Sequence, residues 1–433
     1  MKTDEWKDRL RQGQFDSELS ILYASAPDDP RHRYIGCLDA FADAFGEADA
    51  ALVSAPGRTE LAGNHTDHQN GMVLCAAVTM DTLAVAAPRK DDTVHIVSRG
   101  FGEIRLRLNT LSPLSEEKGT SEAIVRGVAA GFQKRGYAVG GINAVITSDV
   151  PAGGGLSSSA AFEVLIGTLF SHFFNNDSLD ALTLAIIGQE AERDFFGKPS
   201  GLMDQAASAC GGITRIDFAD PALPHVDRLS FDFRRSGFVL CAVDTRTSHA
   251  DLTDDYAAIP AEMKAVAAFF GCSVLREVAP AAFYDSQNRA ALSKQVPLRA
   301  VLRAEHFFGE NKRVGVMADA LSAGDMKRYI ELMNASGASS REKLQNVIPS
   351  LHPEQRSMAE ALDRAGELLQ GKGAWRIHGG GFAGCIQCLV PEADFPSFRS
   401  AMDGYYGDGA CWEMRIRPCG PYILGSHTLA KGK

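Results

Sequence analysis

The sequence predicts an α+β fold built as two lobes. Segments with the periodicity of strands and segments with the periodicity of helices occur in both halves, without the regular alternation that builds a parallel βαβ sheet. The chain has 433 residues, which is more than one hydrophobic core usually serves. We therefore expect a first lobe over residues 1–220 and a second lobe over residues 221–433.

The first half contains strand and helix patterns that can be placed by their apolar spacing. Residues 39–45 have the pattern of a helix end, and the apolar run 50–54 leads into a turn predicted at Pro56 and Gly57. The remaining patterns predict strands over 72–85, 95–98 and 142–147, and helices over 121–134, 157–174 and 179–196.

The second half shows the same mixture of elements. A strand is predicted from Ile213, followed by a turn, and the apolar run from Phe238 to Asp244 predicts the strand that opens this half. Further patterns predict helices over 259–270, 300–321 and 326–333, and a late strand over 384–390.

Charge and hydropathy limit the partners that the chain can have. The formal net charge is −10, which argues against broad binding to nucleic acid or anionic membranes. The apolar run 72–87 is interrupted by Thr79, Asp81 and Thr82 and is too short to span a bilayer. The first ten residues lack the apolar core of a secretion signal. We expect a cytoplasmic protein whose partners are small molecules, neither nucleic acid nor membrane.

The segment 151–160 combines three glycines with three serines directly before a predicted helix. Glycines allow the backbone to approach a ligand closely, and a helix N-terminus offers unpaired N–H groups and a partial positive charge. An ordinary glycine-rich turn with one serine as N-cap is the alternative, but it needs a single serine. The segment therefore predicts an anion site. It is not a Walker A loop, since no GxxxxGK[ST] occurs in the chain.

Two further loops indicate a ligand site less strongly. The glycines from Gly379 to Gly384 match GxGxxG, but they lead into a strand pattern instead of a helix, which is the wrong context for a dinucleotide site. We interpret them as a tight loop near a ligand. The segment 64–70 consists of seven side chains that can hydrogen bond, bracketed by Gly63 and Gly71. It suits a polyhydroxylated ligand about as well as it suits a solvated surface loop.

Together these segments resemble the galactokinase branch of the GHMP kinases. Residues 151–160 match the phosphate loop of that family throughout, 379–384 resemble its C-terminal glycine motif, and Met203-Asp204-Gln205 resembles its Met-Asp-Gln. Alone, Glu192 would be part of a solvated helix face and Asp204 a helix-capping acid. The resemblance implies an N-terminal lobe like ribosomal protein S5 domain 2, a ferredoxin-like C-terminal lobe, and an active site in the cleft between them.

The resemblance also implies roles for individual residues. Asp204 would accept the proton of the sugar's C1 hydroxyl, and Arg58 would lie beside it and the transferring phosphoryl group. Mg²⁺ would be bound by Ser159 and Glu192. The implied ATP contacts are Ser98, Gly153, Gly154, Gly155, Leu156, Ser157, Ser158 and Ser159. The implied sugar contacts are Asn64, His65, Thr66, Asp67, Gly201 and Tyr256.

The function implied is the ATP-dependent phosphorylation of galactose to galactose 1-phosphate, by a monomer or weak homodimer. Phosphoryl transfer depends mainly on positioning and charge neutralisation, which the loop, Mg²⁺ and Arg58 would supply. A cation beside Asp204 depresses the pKa of its carboxyl group, so Asp204 should be an anion at neutral pH and a weak base. Asp204 would then act chiefly by orienting the hydroxyl group.

The first signature of the family usually reads Gly-Arg-x-Asn-Leu-Ile-Gly-Glu-His-Thr-Asp-Tyr, and this chain departs from it. The departures are Glu60, Ala62, Asn64 and His68. Asn64 stands where the family has a glutamate near the C6 hydroxyl of the sugar, and a neutral amide would tolerate a C6 carboxylate. Galacturonate, or another hexose modified at C6 or C2, is therefore the alternative substrate. Compensation by Glu60 is the other possibility.

Two other classes of function can be formulated. A galactokinase-like protein can be a non-catalytic sugar sensor, but such sensors lose residues after the serine run, and Ser159-Ala160 is intact. A dinucleotide-dependent oxidoreductase would rest only on the misplaced glycine motif. Both alternatives are therefore weaker than the kinase interpretation.

Overall fold

The computed structural model describes residues 1–98, 102–151, 154–247 and 252–426. The helices in these ranges are α1 (Thr3–Arg11), α2 (Asp16–Tyr23), α3 (Asp28–Phe45), α4 (Ser121–Lys134), α5 (Ser158–Asn175), α6 (Ala181–Glu190), α7 (Met203–Cys210), α8 (Thr253–Phe269), α9 (Pro280–Tyr284), α10 (Ser286–Leu292), α11 (Leu298–Ala323), α12 (Met326–Ser339), α13 (Ser357–Leu369) and α14 (Phe395–Tyr406). The strands are β1 (Ala51–Ala62), β2 (Met72–Pro88), β3 (Thr93–Ser98), β4 (Gly102–Arg107), β5 (Ile142–Ser148), β6 (Ile213–Asp217), β7 (His225–Leu229), β8 (Phe238–Asp244), β9 (Ala374–Ile377), β10 (Cys385–Pro391), β11 (Cys411–Glu413) and β12 (Tyr422–Ile423).

The first sheet has eight strands, with β2 at its centre. The strand order is β12-β1-β2-β5-β3-β4, while β6 pairs with β2 and with β7. One edge of β2 is shared, because its first residues pair with β6 and its last residues pair with β5. All pairings are antiparallel except that of β3 with β5. The short strand β12 brings the end of the described chain back to β1.

Both faces of the first sheet are covered by helices. Alternate residues of β2 enter different cores: Ala84 and Ala86 pack with α4–α7, whereas Leu83 and Val85 pack with α1–α3. Because successive side chains of a strand point to opposite faces, a sheet covered on both sides is apolar at every position. This explains why β1 and β2 have nearly continuous apolar runs in the sequence.

The second sheet has four antiparallel strands in the order β11-β8-β10-β9. One face packs on α13 and α14, with Cys241, Val243 and Ile386 in that core. The opposite face shares a core with α11, α12 and the first sheet, in which Leu240 and Ala242 lie in one cluster with buried residues of β1 and β2. This shared core fixes the two sheets against each other.

These elements confirm the predicted α+β class and most of the predicted segments, with two corrections. Pro56 and Gly57 do not form a turn; β1 continues through them, with a bulge in its pairing to β2 between Pro56 and Arg58. The predicted helix 179–196 is an α-helix only to Glu190, after which Ala191–Phe196 is π-helical. The lobe boundary near residue 220 stays a prediction.

No helix in the described ranges is long and apolar enough to cross a membrane.

Candidate functional site

A cavity of about 520 Å³ brings together most of the residues singled out from the sequence. The predicted site residues that line it are Arg58, Asn64, His65, Asp67, Gly155, Ser157, Ser158, Ser159, Gly201, Asp204 and Tyr256. We call the part around Ser157, Ser158, Ser159 and Asp204 the α5 end, and the part around Asn64, His65, Asp67 and Tyr256 the polar-loop end. Residues more than 300 positions apart therefore share one cavity with the glycines Gly379 and Gly380.

Arg58 and Asp204 form a bidentate ion pair at the α5 end. Arg58 Nε lies 2.7 Å from Asp204 Oδ1, and Arg58 Nη2 lies 2.7 Å from Asp204 Oδ2. Burial favours the neutral acid, but the charge and hydrogen bonds of Arg58, with a further bond from Ser157, hold the pKa of Asp204 well below its usual range. Asp204 is therefore an anion and a weak base at neutral pH, as predicted.

Arg58 is held in place from the other side by the glycine-rich loop. Its Nη1 donates to the carbonyl of Gly155, and its backbone N–H donates to the carbonyl of Leu156 over 3.0 Å. Gly57 permits this close approach, since a Cβ at that position would lie 3.0 Å from the Leu156 carbonyl oxygen and 3.2 Å from Val150. The bulge in β1 and the absent side chain of Gly57 together bring the loop against the strand that carries Arg58.

The serines at the start of α5 are not used to cap the helix. Ser157 has φ 60° and makes no side-chain cap bond to the helix; its hydroxyl donates to Asp204 Oδ2 over 2.6 Å. The N–H groups in the first turn of α5 therefore receive no cap from the Ser157 side chain. They lie next to the cavity, which Ser158 and Ser159 line. This favours the anion-site interpretation of the segment over the simple N-cap.

A second acid, Glu192, lies behind Ser159. The Ser159 hydroxyl donates to Glu192 Oε1 over 3.2 Å, Lys198 Nζ donates to the same oxygen over 2.8 Å, and Gln205 Nε2 donates to Oε2 over 3.0 Å. Glu192 is only 2% exposed, and the π-helical turn Ala191–Phe196 positions it. Burial and the Glu192 carboxylate raise the pKa of its neighbour Glu163 well above its usual value.

At the polar-loop end, His65, Asp67 and Gly201 are packed closely. His65 Nε2 lies 2.9 Å from the carbonyl of Gly380, and burial lowers the pKa of His65 to about 3, so this histidine is neutral. A Cβ at Gly201 would lie 1.7 Å from Asp67 Oδ2, so glycine is required there for Asp67 to keep its position. Tyr256 donates its hydroxyl to the carbonyl of Gly381 over 2.5 Å.

Asn64 is 1% exposed, and its amide is engaged with the protein on both sides. Its Nδ2 donates to the carbonyl of Gly379 over 2.6 Å and lies 3.2 Å from both carboxylate oxygens of Glu60. Its Oδ1 accepts from Asn346 Nδ2 over 2.8 Å. Glu60, 2% exposed, forms an ion pair with fully buried Arg376. Two of the four departures from the family signature, Glu60 and Asn64, therefore lie together and bind each other.

The structure places several other predicted residues away from the cavity surface. Thr66 is fully buried, and its hydroxyl faces the carbonyls of Gly63 and Met72 at 2.8 and 2.6 Å. Leu156 is fully buried, Gly154 lies behind the lining, and Ser98 ends β3 outside it. Gly153 lies outside the described residues, as does the 248–251 part of the segment that leads to Tyr256. Their predicted roles stay predictions.

Sequence reasoning missed His378, which immediately precedes the glycine motif. It is 2% exposed, lines the cavity, and its Nε2 lies 2.9 Å from Thr59 Oγ1. Gln387 Nε2 donates to the Glu60 carbonyl and to Thr59 Oγ1, so the Thr59 hydroxyl has its proton free for His378 Nε2. The His378 ring is therefore in contact with Thr59, which Gln387 also holds. Its position beside the glycine motif was the signal that could have identified it.

Lys198, Asn346 and Arg376 were also missed as site residues. Lys198 lies five residues before Met203-Asp204-Gln205, and it lines the α5 end of the cavity. Asn346 and Arg376 carry no motif of their own. They reach Asn64 and Glu60 only through the fold, so no local pattern in the sequence could have pointed to them.

Comparison with known proteins identifies the two halves of this site separately. The model of the GHMP kinases N terminal domain matches residues 123–212, which contain the segment 151–160, Glu192 and Asp204. The model of the galactokinase galactose-binding signature matches residues 39–88, which contain Arg58 and the polar loop.

Solved structures with the same architecture include several small-molecule kinases. Galactokinase of Lactococcus lactis, solved in complex with galactose, is 25% identical with a TM-score of 0.77, and the match covers 89% of this chain and 98% of that one. Mevalonate kinase of Methanococcus jannaschii is 16% identical with a TM-score of 0.58, covering 85% of this chain and 99% of its own. Phosphomevalonate kinase of Streptococcus pneumoniae is 13% identical with a TM-score of 0.57, covering 86% and 99%. The last two show the fold alone.

Proposed function

We propose that this chain is a galactokinase of the GHMP kinase family, which transfers the γ-phosphoryl group of ATP to the anomeric hydroxyl of galactose. The observation that carries this proposal is the Arg58–Asp204 pair. It lies where the segment matched by the kinase domain model meets the segment matched by the galactose-binding signature. A phosphate donor at the α5 end and a sugar at the polar-loop end would meet at this pair.

In the proposed reaction the C1 oxygen of galactose attacks the γ-phosphorus of ATP. The bond between that phosphorus and the bridging oxygen of the β-phosphate breaks, and ADP leaves with the electron pair. The proton of the C1 hydroxyl passes to Asp204 Oδ2 or Oδ1 and from there to solvent. The products are galactose 1-phosphate and ADP.

Asp204 acts in this scheme mainly as an orienting anion. Its lowered pKa makes it a poor base for an intact hydroxyl group, so it takes the proton late, when the new P–O bond has largely formed. Before that it accepts a hydrogen bond from the C1 hydroxyl and directs a lone pair at phosphorus. Arg58 keeps Asp204 in this orientation and brings a fixed positive charge next to the transferring group.

Mg²⁺ fits the α5 end of the cavity. Ser159 Oγ and Glu192 Oε1 are hard oxygen donors 3.2 Å apart, and Mg²⁺ in kinases is usually held by one or two protein oxygens together with phosphate oxygens and water. In the described ranges no cluster of three or more His, Cys, Asp or Glu side chains could hold a metal by itself, which agrees with such a shared site. When bound, Mg²⁺ neutralises phosphate charge.

We assign the sugar to His65, Asp67, Gly201 and Tyr256 at the polar-loop end. Asp67 and the Gly201 backbone offer an acceptor and a close approach, which suit sugar hydroxyls. Asn64 would shape this end of the cavity, since its amide nitrogen already donates to Gly379 and Glu60. Galacturonate is not favoured over galactose, because residues 39–88 match the galactokinase galactose-binding signature.

We propose that the protein works in the cytoplasm on free sugar and ATP, as a monomer or weak homodimer. We also propose that its two lobes divide near residue 220. A non-catalytic sensor is not favoured, because Ser159-Ala160, Arg58 and Asp204 are intact, and Arg58 is paired with Asp204.

Sugar-dependent release of ADP tests the proposal and separates catalysis from sensing. The purified chain is mixed with ATP, Mg²⁺ and one of four sugars: galactose, galacturonate, glucose or N-acetylgalactosamine. We expect the highest kcat/KM with galactose. A galacturonate value about tenfold or more above galactose would overturn the substrate assignment, and binding of galactose without any ADP release would overturn the enzyme assignment.

A further inference from the structure

We infer that Lys198 is a phosphate-binding residue whose ammonium group contacts the γ-phosphoryl group of the nucleotide. In the free protein this ammonium group is paired with Glu192. The inference rests on the proposed kinase function and adds to it a residue at a position that neither the phosphate loop nor the Met-Asp-Gln motif contains. It follows from the balance of charge at the α5 end and from the position of Lys198 in the cavity.

The α5 end has two carboxylates that are charged and two cations that pair with them. Asp204 is paired with Arg58, and Glu192 is paired with Lys198. In the free protein each of these two cations therefore holds one of these two carboxylates.

Three of the five N–H groups of Arg58 are already engaged within the protein, which leaves one on each Nη nitrogen. Its Nε and Nη2 donate to Asp204, and its Nη1 donates to the carbonyl of Gly155. It is 5% exposed, so exchanging these partners would require movement of buried groups. Arg58 thus acts through its charge and through Asp204.

Lys198 differs from Arg58 in its exposure, in the number of its partners and in its remaining donors. Its side chain is 55% exposed, and Glu192 is its one ion-pair partner in the part of the chain that the structure describes. One bond of 2.8 Å to Glu192 Oε1 leaves other ammonium protons available for an anion in the cavity that Lys198 lines. Burial alone would lower the pKa of Lys198, but Glu192, with a contribution from Asp204, raises it, so the ammonium group is charged at neutral pH.

The position of Lys198 selects the γ-phosphoryl group among the three phosphates. Its ammonium group binds the acid that we assign to the metal and also interacts electrostatically with Asp204, which we assign to the acceptor hydroxyl. The phosphoryl group that is transferred must lie between those two acids. If Glu192 and Ser159 held a metal ion, the Glu192 carboxylate would be shared with a second cation, and the ammonium group of Lys198 would be free to bind a phosphate oxygen.

Nucleotide affinity measured by titration calorimetry tests this inference independently of turnover. The variants are Lys198→Met, which keeps the length of the side chain without its charge, and Lys198→Arg, which restores a cation. Lys134→Met is the matched control, because Lys134 is 72% exposed and pairs with Glu190 outside the cavity. Each variant is titrated with MgATP and with MgADP, without sugar.

We expect Lys198→Met to weaken MgATP binding about 10- to 100-fold, as for loss of one charge-assisted hydrogen bond, and to leave MgADP within about twofold. Lys198→Arg should recover most of the loss, and Lys134→Met should match the wild type. Equal weakening of both nucleotides would show that Lys198 acts only on Glu192 and the metal, and would overturn the inference. Unchanged MgATP affinity would overturn it as well. Failure of the wild type itself to bind MgATP would instead reject the kinase function.

Discussion

The two ends of the cavity are built differently. At the α5 end, Arg58 and Ser157 donate hydrogen bonds to Asp204, and Lys198 donates one to Glu192; all of these residues except Glu192 line the cavity. At the polar-loop end, the charged pair of Glu60 and Arg376 is buried, and Asn64 is engaged on every polar atom.

A polar residue in a motif can therefore either contact the ligand or stabilise the protein itself. Its burial and its hydrogen-bond partners decide between these two roles. The α5 end keeps donors and acceptors that a ligand can take over. The polar-loop end uses Glu60 and Asn64 to fix the loop, and it leaves His65, Asp67 and Tyr256 at the cavity surface. Substitutions at the first end should therefore change catalysis, and substitutions at Glu60 should change stability.

The largest effect is expected from Asp204→Asn at the α5 end. The amide cannot accept the proton of the C1 hydroxyl, so kcat should fall about 10²- to 10⁴-fold, which is the range for loss of a proton-transferring group. The protein should still fold and bind MgATP, because Asn has nearly the same shape, but with some loss of stability, because Arg58 loses the charge of its ion-pair partner. Steady-state kinetics and calorimetry on the same preparation measure both. Turnover within tenfold of wild type would remove Asp204 from its role.

Glu60→Gln tests the opposite end. Removing this carboxylate leaves Arg376 fully buried without its ion-pair partner, and its Nε and Nη1 already lack a hydrogen-bond partner among the described residues. Loss of one member of a buried ion pair typically costs about 3–5 kcal/mol of the free energy of unfolding. Urea denaturation measures the loss.

Glu331→Gln is the control for Glu60→Gln, since Glu331 is half exposed and pairs with Arg328 over 3.1 Å at the surface. Its free energy of unfolding should change by about 1 kcal/mol or less. If Glu60→Gln costs no more than this control, the polar-loop end is not the buried scaffold that the comparison requires.

Gly201→Ala perturbs the cavity surface of the polar-loop end without removing any polar group. The new Cβ would lie 1.7 Å from Asp67 Oδ2, so Asp67 must move out of place. Overpacking of this kind costs about 1–3 kcal/mol, and we expect KM for galactose to rise about 10- to 100-fold with KM for ATP nearly unchanged. Gly309→Ala, where the nearest group to a new Cβ is 3.9 Å away, should leave both constants unchanged. A rise in KM for ATP instead would place Asp67 with the nucleotide.

The smallest effect is expected from the pH dependence contributed by His378, which joins the two ends. Burial lowers the pKa of His378 to about 3, so the unfolded chain binds a proton that the folded chain does not between about pH 6.5 and pH 3. Stability contributed by this residue is therefore lost as the pH falls, by about 2 kcal/mol between pH 7 and pH 5.

His378→Gln should reduce that loss by about the same amount, measured as the difference between urea unfolding at pH 7 and at pH 5. The raised pKa of Glu163 acts in the opposite direction, but it is common to both proteins and cancels in the comparison. An identical pH dependence in the two proteins would contradict a buried neutral His378.

The contrast between the ends also explains which parts of the site could be predicted from the sequence. The segment 151–160 and the pair Met203-Asp204 are local patterns that lie at the starts of α5 and α7. Their position at helix N-termini follows from glycine, serine and acidic residues before apolar runs. The α+β class followed in the same way from apolar spacing.

The contacts of the polar-loop end could not be predicted from the sequence in the same detail. Whether Asn64 faces a ligand depends on Glu60, Asn346 and Gly379, and two of these lie far along the chain on other elements. The bulge that replaces the predicted turn at Pro56 and Gly57 likewise depends on pairing with β2 and on contact with Leu156. Such long-range contacts override local turn preferences.

The position of the phosphoryl group in the product tests the central claim most directly. The wild-type protein is incubated with galactose, ATP and Mg²⁺, and the product is examined by ³¹P NMR with coupling to the sugar protons. The account predicts a phosphomonoester coupled to H1, because the Arg58–Asp204 pair is placed to receive the anomeric hydroxyl. A product coupled to H6, or ADP formed without any sugar phosphate, would contradict it.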